Sequence, residues 1–175
     1  FLWRVDPANT AYHMGIAVKI ACPLDTDALQ GALGDLVVRH ESLRTAFRMN
    51  ADGDILQWIL PSASVPLQLQ YLSLNSSESL DIDEDVTVLQ ALHEFKARPF
   101  DLPTGGLIRA ALLRLSGDTH VLALTMHHIV SDGSSMQVLI DEIASGYAGR
   151  IGKRVTSEPA LSIQYADYAT WEREW

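Results

Sequence analysis

The sequence predicts an α+β domain built on a mixed, mostly antiparallel sheet covered by helices, and three observations carry that prediction. Two long apolar runs, Leu107 to Leu115 and His120 to His128, are separated by Ser116-Gly117-Asp118, which is the layout of a buried antiparallel pair at the centre of a sheet. Residues Gly15 to Ile20 alternate, with Ile16, Val18 and Ile20 on one face and Ala17 and Lys19 on the other. Apolar residues also recur at helical spacing in stretches before and after these runs, so strands and helices share one chain of 175 residues, enough for a single core.

The elements are taken in chain order. Pro23 ends the first strand, and Asp25 or Thr26 supplies an N-cap for a helix whose buried stripe is Leu29, Ala32, Leu33, Leu36, Val37 and His40. Thr45 to Met49 and Ile55 to Leu60 flank Asn50-Ala51-Asp52-Gly53 and predict a hairpin, since Asp-Gly supplies the positive φ of a reversal. Leu67, Leu69 and Tyr71 alternate with Gln68 and Gln70 as a half-buried strand. The Ser, Asp and Glu of Asn75 to Asp85 read as a solvated loop, and its Asp81-Ile82-Asp83-Glu84-Asp85 lacks the glycine and terminal Glu of a calcium loop. Val86 to Ala97 predicts a helix stopped by Pro99. After Asp132-Gly133-Ser134-Ser135 comes a helix with Met136, Leu139, Ile140, Ile143 and Tyr147 on one face and Gly149 as C-cap. Ile163 to Trp175 closes the chain as an amphipathic segment, and both ends read as cut.

Composition narrows the function. Thirteen Lys and Arg against 22 Asp and Glu leave a formal charge of −9, so no general attraction toward a phosphate backbone exists and nucleic acid is not expected as a partner. Apolar stretches such as Ala110 to Leu113 fall far short of the roughly 20 residues a membrane helix needs, and Phe1-Leu2-Trp3-Arg4 has no signal-peptide layout, so no membrane association is expected. A single Cys22 fits a reducing cytoplasm; beside Pro23 at a strand end it reads as an inert core thiol. Trp58 and Trp171 read as packing aromatics, and His13, His93 and His120 as surface or edge residues.

The stretch that carries chemistry is Thr125-Met126-His127-His128-Ile129-Val130-Ser131-Asp132-Gly133. Side chains alternate along a strand, so His127 and His128 should point to opposite faces, one into packed core and one toward open space. Diverging neighbours cannot converge on one ion as histidines at i, i+4 do, and no metal is expected. A histidine pair, a carboxylate and a glycine fall together where a central strand meets a helix N-terminus, a preferred place for a site in layered folds.

His127-His128-x-x-x-Asp132-Gly133 matches the HHxxxDG signature of the condensation domains of nonribosomal peptide synthetases, which are similar to chloramphenicol acetyltransferase. Three further segments support this resemblance. Arg39-His40-Glu41-Ser42-Leu43-Arg44-Thr45-Ala46-Phe47 resembles the family's RHExLRTxF segment, and Tyr165-Ala166-Asp167-Tyr168-Ala169-Thr170-Trp171 its YxDFAxW segment. Phe1-Leu2-Trp3 through Asp6-Pro7 and Ala11-Tyr12 resemble the residues just after the family's opening motif. The resemblance implies a chloramphenicol acetyltransferase-like sandwich, with residues 1–175 forming the N-terminal lobe of a two-lobed domain that is about twice this long. Opening residues and the C-terminal lobe would be missing.

The same resemblance implies peptide-bond formation in antibiotic or other secondary-metabolite synthesis, with the acceptor amine attacking a donor thioester. Both substrates would arrive on phosphopantetheine arms of donor and acceptor peptidyl carrier proteins, beside an adjacent adenylation domain, with no cofactor bound by this lobe. His128 would be the catalytic residue, as general base or as the group that orients the amine, since a free α-amine is already partly deprotonated near its pKa of roughly 8. His127 would support it. Asp132 would be a structural carboxylate held by Arg39 or Arg44. Gly133 would bring its N–H close to substrate, where a Cβ would obstruct. The family usually has Trp next, where this chain has Ser134. Phe100-Asp101-Leu102 and the segment around His128 resemble the subtype that joins an L donor to an L acceptor. Two alternatives of the same fold remain, an epimerization domain that abstracts a Cα proton and a non-catalytic module that recruits a partner enzyme. A heterocyclization domain is disfavoured, because no aspartates replace the histidines.

Overall fold

The structure, a computed structural model, describes residues 2–73, 86–115, 117–152 and 160–175. The solvated loop expected over Asn75 to Asp85 lies outside them, as does Ser116 of the expected turn.

A short helix α1, Leu2–Val5, leads into strand β1, His13–Ala21, whose burial alternates with the period of two that its sequence predicts. Asp25 then caps helix α2, Thr26–Arg39, by accepting hydrogen bonds from the Asp27 and Ala28 amides. Ala28, Leu29, Ala32, Leu33, Leu36 and Val37 form its buried stripe; His40 is the C-cap rather than a member of the stripe. A 3-10 turn, Glu41–Arg44, feeds the hairpin of β2, Thr45–Met49, and β3, Ile55–Ile59. The reversal is longer than an Asp-Gly turn. The Asn50 side-chain oxygen accepts from both the Asp52 and Asp54 amides, while Gly53 takes φ +92°.

Strand β4, Leu69–Leu72, and helix α3, Val86–Lys96, precede the central strands β5, Ile108–Arg114, and β6, Thr119–His127. Helix α4, Gly133–Arg150, and helix α5, Tyr165–Glu174, complete the order. The sheet runs β1-β6-β5-β4, with β5 and β6 central as expected and only the β4–β5 pair parallel. The α+β class and the mixed, mostly antiparallel sheet are therefore those the sequence predicts. Even-numbered residues of β5 and β6, such as Ile108, Ala110, Leu112, Leu122, Leu124 and Met126, pack with α2 and α4. Odd-numbered residues such as Ala111, Leu113, Val121 and Ala123 turn to the other face, where Val88 and Phe95 of α3 cover them.

Five further sequence expectations are corrected. Tyr71 shares a face with buried Leu69 but is 66% exposed, because β4 is an edge strand. Cys22 is exposed just past the end of β1, not a core thiol. Trp58 and Trp171 are also exposed rather than packed. Helix α4 runs past Gly149 to Arg150, and Gly152 is the glycine that takes positive φ, +73°. His13 does lie on an edge strand, β1, but is buried rather than at the surface, and it abuts the candidate site.

Candidate functional site

The end of strand β6 places two adjacent histidines in different surroundings. His127 ends the strand on its odd-numbered face and is 7% exposed, whereas His128 is the first residue beyond the strand and is exposed. The two neighbours therefore differ in burial, one packed and one open to solvent. The backbone there is held from both neighbouring segments, since the His127 N–H donates to the Leu107 carbonyl at 3.0 Å and the His128 N–H to the Tyr12 carbonyl at 2.8 Å.

The turn after β6 closes on His127 itself. Its Nδ1 accepts from the Ile129 N–H at 3.0 Å, and its carbonyl accepts from the Val130 N–H and from the Ser131 hydroxyl. An Nδ1 that accepts carries no proton, so the ring is the neutral Nε2–H tautomer. Burial, then the neighbouring His13 and His128, lower its pKa to about 4. His13 stands directly opposite on β1, with ring centroids 5.9 Å apart edge to face, and donates from Nδ1 to the Lys96 carbonyl at 2.8 Å. Burial is also the main cause that lowers the His13 pKa. Phe100 lies against both rings, and the Arg109 guanidinium sits over the Phe100 ring, 3.8 Å from its centroid.

On the open side, Trp3, Asn9, Tyr12, Leu102, His127, His128 and Ile129 line a recess of about 510 Å³. Trp3 is fixed there by its indole N–H, which donates to the Phe100 carbonyl at 3.2 Å. Apart from the two histidines and the Trp3 indole, only Asn9 and the Tyr12 hydroxyl are polar side-chain groups, so the imidazole at this rim stands beside a mostly apolar wall.

Asp132 has different partners from those expected. It is the N-cap of α4, exposed, and its Oδ1 accepts from the Ser135 N–H at 2.8 Å and the Ser135 hydroxyl at 2.7 Å. Those bonds hold its carboxyl below the usual carboxylate range. Arg39 instead pairs with Glu142 at 2.9 Å and Arg44 with Glu41 at 3.1 Å. Both arginines line a separate recess of about 750 Å³ bordered by α2, α4 and Gln164, which contains neither His127 nor His128. The reason is local: Asp132 opens a helix, and the nearest free N–H groups are that helix's own. Gly133 is the first residue of α4, and no described atom lies within 4 Å of where its Cβ would stand, so no packing contact among the described residues demands a glycine.

Sequence reasoning missed Tyr12 and His13. Their signal was the register of β1 against β6, which sets His13 opposite His127, and no pattern within either segment reveals a register. Among the described residues no group of three or more His, Cys, Asp or Glu could hold a metal ion, and no helix is long and apolar enough to cross a membrane.

Comparison with known proteins gives one consistent likeness. A family model described as Condensation domain matches residues 1–175. Chondramide synthase cmdD of Chondromyces crocatus is 38% identical over 174 residues, which are 99% of this chain and 4% of that protein. The first condensation domain of the calcium-dependent antibiotic synthetase, solved with a substrate analogue, superposes with a TM-score of 0.82 at 28% identity, covering 99% of this chain and 40% of that one. The X-domain of teicoplanin biosynthesis, solved in complex with OxyB, superposes with a TM-score of 0.80 at 32% identity, covering 98% and 35%. The chain thus spans well under half of the proteins it matches.

Proposed function

The chain belongs to the condensation-domain family, and from that premise we propose that it is the N-terminal lobe of a peptide-bond-forming domain in which His128 serves the reacting amine. The observation that carries this reading is the exposed imidazole at the rim of an apolar recess, on a backbone fixed by Tyr12, Leu107 and its own buried neighbour.

The reaction is an aminolysis. The acceptor's amine nitrogen attacks the donor thioester carbonyl, the C–N bond forms, the C–S bond breaks, and the thiol leaves with the proton that the amine gives up. An imidazole beside the nitrogen can accept that proton and pass it to the sulfur, or hold the amine with its lone pair aimed at the carbonyl. His127 has neither role; burial and its bond to Ile129 make it a support. Asp132 supports by capping α4, which anchors the far end of the turn. Donor and acceptor carrier proteins would present both substrates on phosphopantetheine arms, with the C-terminal lobe closing the channel and an adenylation domain adjacent. The family membership supports this setting.

The test is His128→Ala in the parent synthetase, with dipeptidyl-carrier product followed by mass spectrometry and stability measured beside it. Loss of product in a stably folded variant is expected. Full turnover would remove His128 from the chemistry. The likeness to an X-domain favours a second reading, a module that recruits a partner enzyme, and wild-type protein that forms no product with any loaded carrier pair would favour it.

A further inference from the structure

We propose that His13 is a positioning residue for the bond-forming reaction: with the Tyr12 carbonyl beside it, it holds the turn that carries His128. This rests on the reading that His128 reacts. Two consecutive residues of the chain entering β1 grip two consecutive residues at the end of β6. The Tyr12 carbonyl takes the His128 N–H at 2.8 Å, and the His13 ring abuts the His127 ring that stands opposite it in the register.

The His127 ring is what shapes the turn, because its Nδ1 accepts the Ile129 N–H at 3.0 Å. That bond needs the ring plane in one orientation. His13 limits that orientation edge-on and Phe100 from another side, with ring centroids 5.9 and 6.4 Å from His127, while the Tyr12 ring stacks on it at 6.4 Å. His13 is itself locked, since its Nδ1–H donates to the Lys96 carbonyl at 2.8 Å and its ring meets Phe100 at 4.9 Å. A chain of contacts therefore runs from the end of α3, through His13 and His127, to the backbone of the His128 turn. Removing the His13 ring opens space beside His127, lets that ring rotate, and loosens the Ile129 amide. The His128 imidazole, one residue away, then samples positions unsuited to attack, and a misplacement of about 1 Å can cost on the order of 100-fold in rate.

The test compares His13→Ala, His13→Phe and His128→Ala in the parent synthetase. For His13→Ala we expect kcat to fall about 10-fold to 100-fold, with KM for the loaded carriers unchanged. Amide exchange, read by mass spectrometry on peptides spanning residues 126–131, should show the Ile129 N–H losing protection. His13→Phe keeps a ring against His127 but leaves the Lys96 carbonyl without its donor, and should restore much of both kcat and protection. Wild-type kcat together with full Ile129 protection in His13→Ala would overturn the proposal. So would a His13→Phe variant as impaired as His13→Ala, because ring packing would then not be the cause. If His128→Ala kept full turnover, the reading of His128 would fail by itself, while the Ile129 exchange in the His13 variants would still decide whether His13 holds the turn.

Discussion

Adjacent histidines, one closing β6 and the other just past it, end in unlike surroundings, the first buried and the second exposed. Burial opposes adding a proton to the His127 ring, and the neighbouring His13 and His128 oppose it further; His13 in turn feels Arg109 from β5 and Lys96 from the end of α3. An unfolded imidazole titrates near 6.5 and folded His127 near about 4. Well above pH 6.5 neither state binds this proton, and stability is unaffected. From about 6.5 down to about 4 the unfolded chain takes up a proton that the folded chain refuses, so stability falls as pH falls; below that range the loss levels off. His127→Asn, which keeps an acceptor for Ile129, should flatten this decline in urea midpoints measured between about pH 7 and 4. An unchanged slope would assign the decline to other groups. Asp132 makes a second prediction at this scale. As an exposed cap bonded to Ser135, it should lower the melting temperature by a few degrees when changed to Ala, whereas Asp132→Asn should stay close to wild type. Double-variant cycles with Arg39 or Arg44 should show no coupling, since each arginine has its own carboxylate.

Elements with one buried face are legible in the sequence. The alternation of Ile16, Val18 and Ile20 and the stripe from Leu29 to Val37 are each forced by a single period, and β1 and α2 appear where those periods stand. The turn between His128 and Asp132 is legible because strand and helix patterns abut there. What stays hidden depends on distant chain. The parallel pairing of β4 with β5, the placement of α3 on the far face and the arginine partners are set by packing between elements, which local periodicity does not encode. The contact of α2 with α4 is of this kind. A Cβ on Gly146 would stand 3.3 Å from the Ala32 Cβ, and Arg150 crosses over Gly31 to pair with Asp35 at 2.6 Å. The two helices approach closely because small residues meet there. Gly146→Leu must push them apart and should destabilise by about 1–3 kcal/mol, read by chemical denaturation. A Leu at exposed Val138 of the same helix should be nearly neutral.

Among the described residues the sheet is packed on both faces, and two open surfaces stand out beside it. One is the recess at His128, walled on one side by Trp3, Tyr12, Leu102 and Ile129. The other is α5, which buries none of its residues and sets Tyr165, Tyr168, Trp171 and, at its C-cap, Trp175 in a tilted row along one exposed edge, with successive ring centroids 5.8–6.0 Å apart. The central β5–β6 pair, by contrast, is covered on both faces by α2, α4 and α3, so the fold does not depend on either open surface. This chain by itself should therefore fold cooperatively, with amide protection greatest in β5 and β6. Catalysis is a different demand. In the proposed reaction, aligning two carrier-bound substrates would supply on the order of 7–11 kcal/mol of the barrier, more than a recess with one wall would secure for a thioester and an amine together. The 175 residues mixed with loaded donor and acceptor carriers should give no dipeptide above the uncatalysed background. Size-exclusion chromatography belongs in the same experiment, because exposed aromatic edges invite association and an aggregated sample would be silent for the wrong reason. A monomeric, folded chain that forms dipeptide at the rate of the parent synthetase would mean that one lobe suffices for positioning, and the two-lobed reading of the channel would have to be given up.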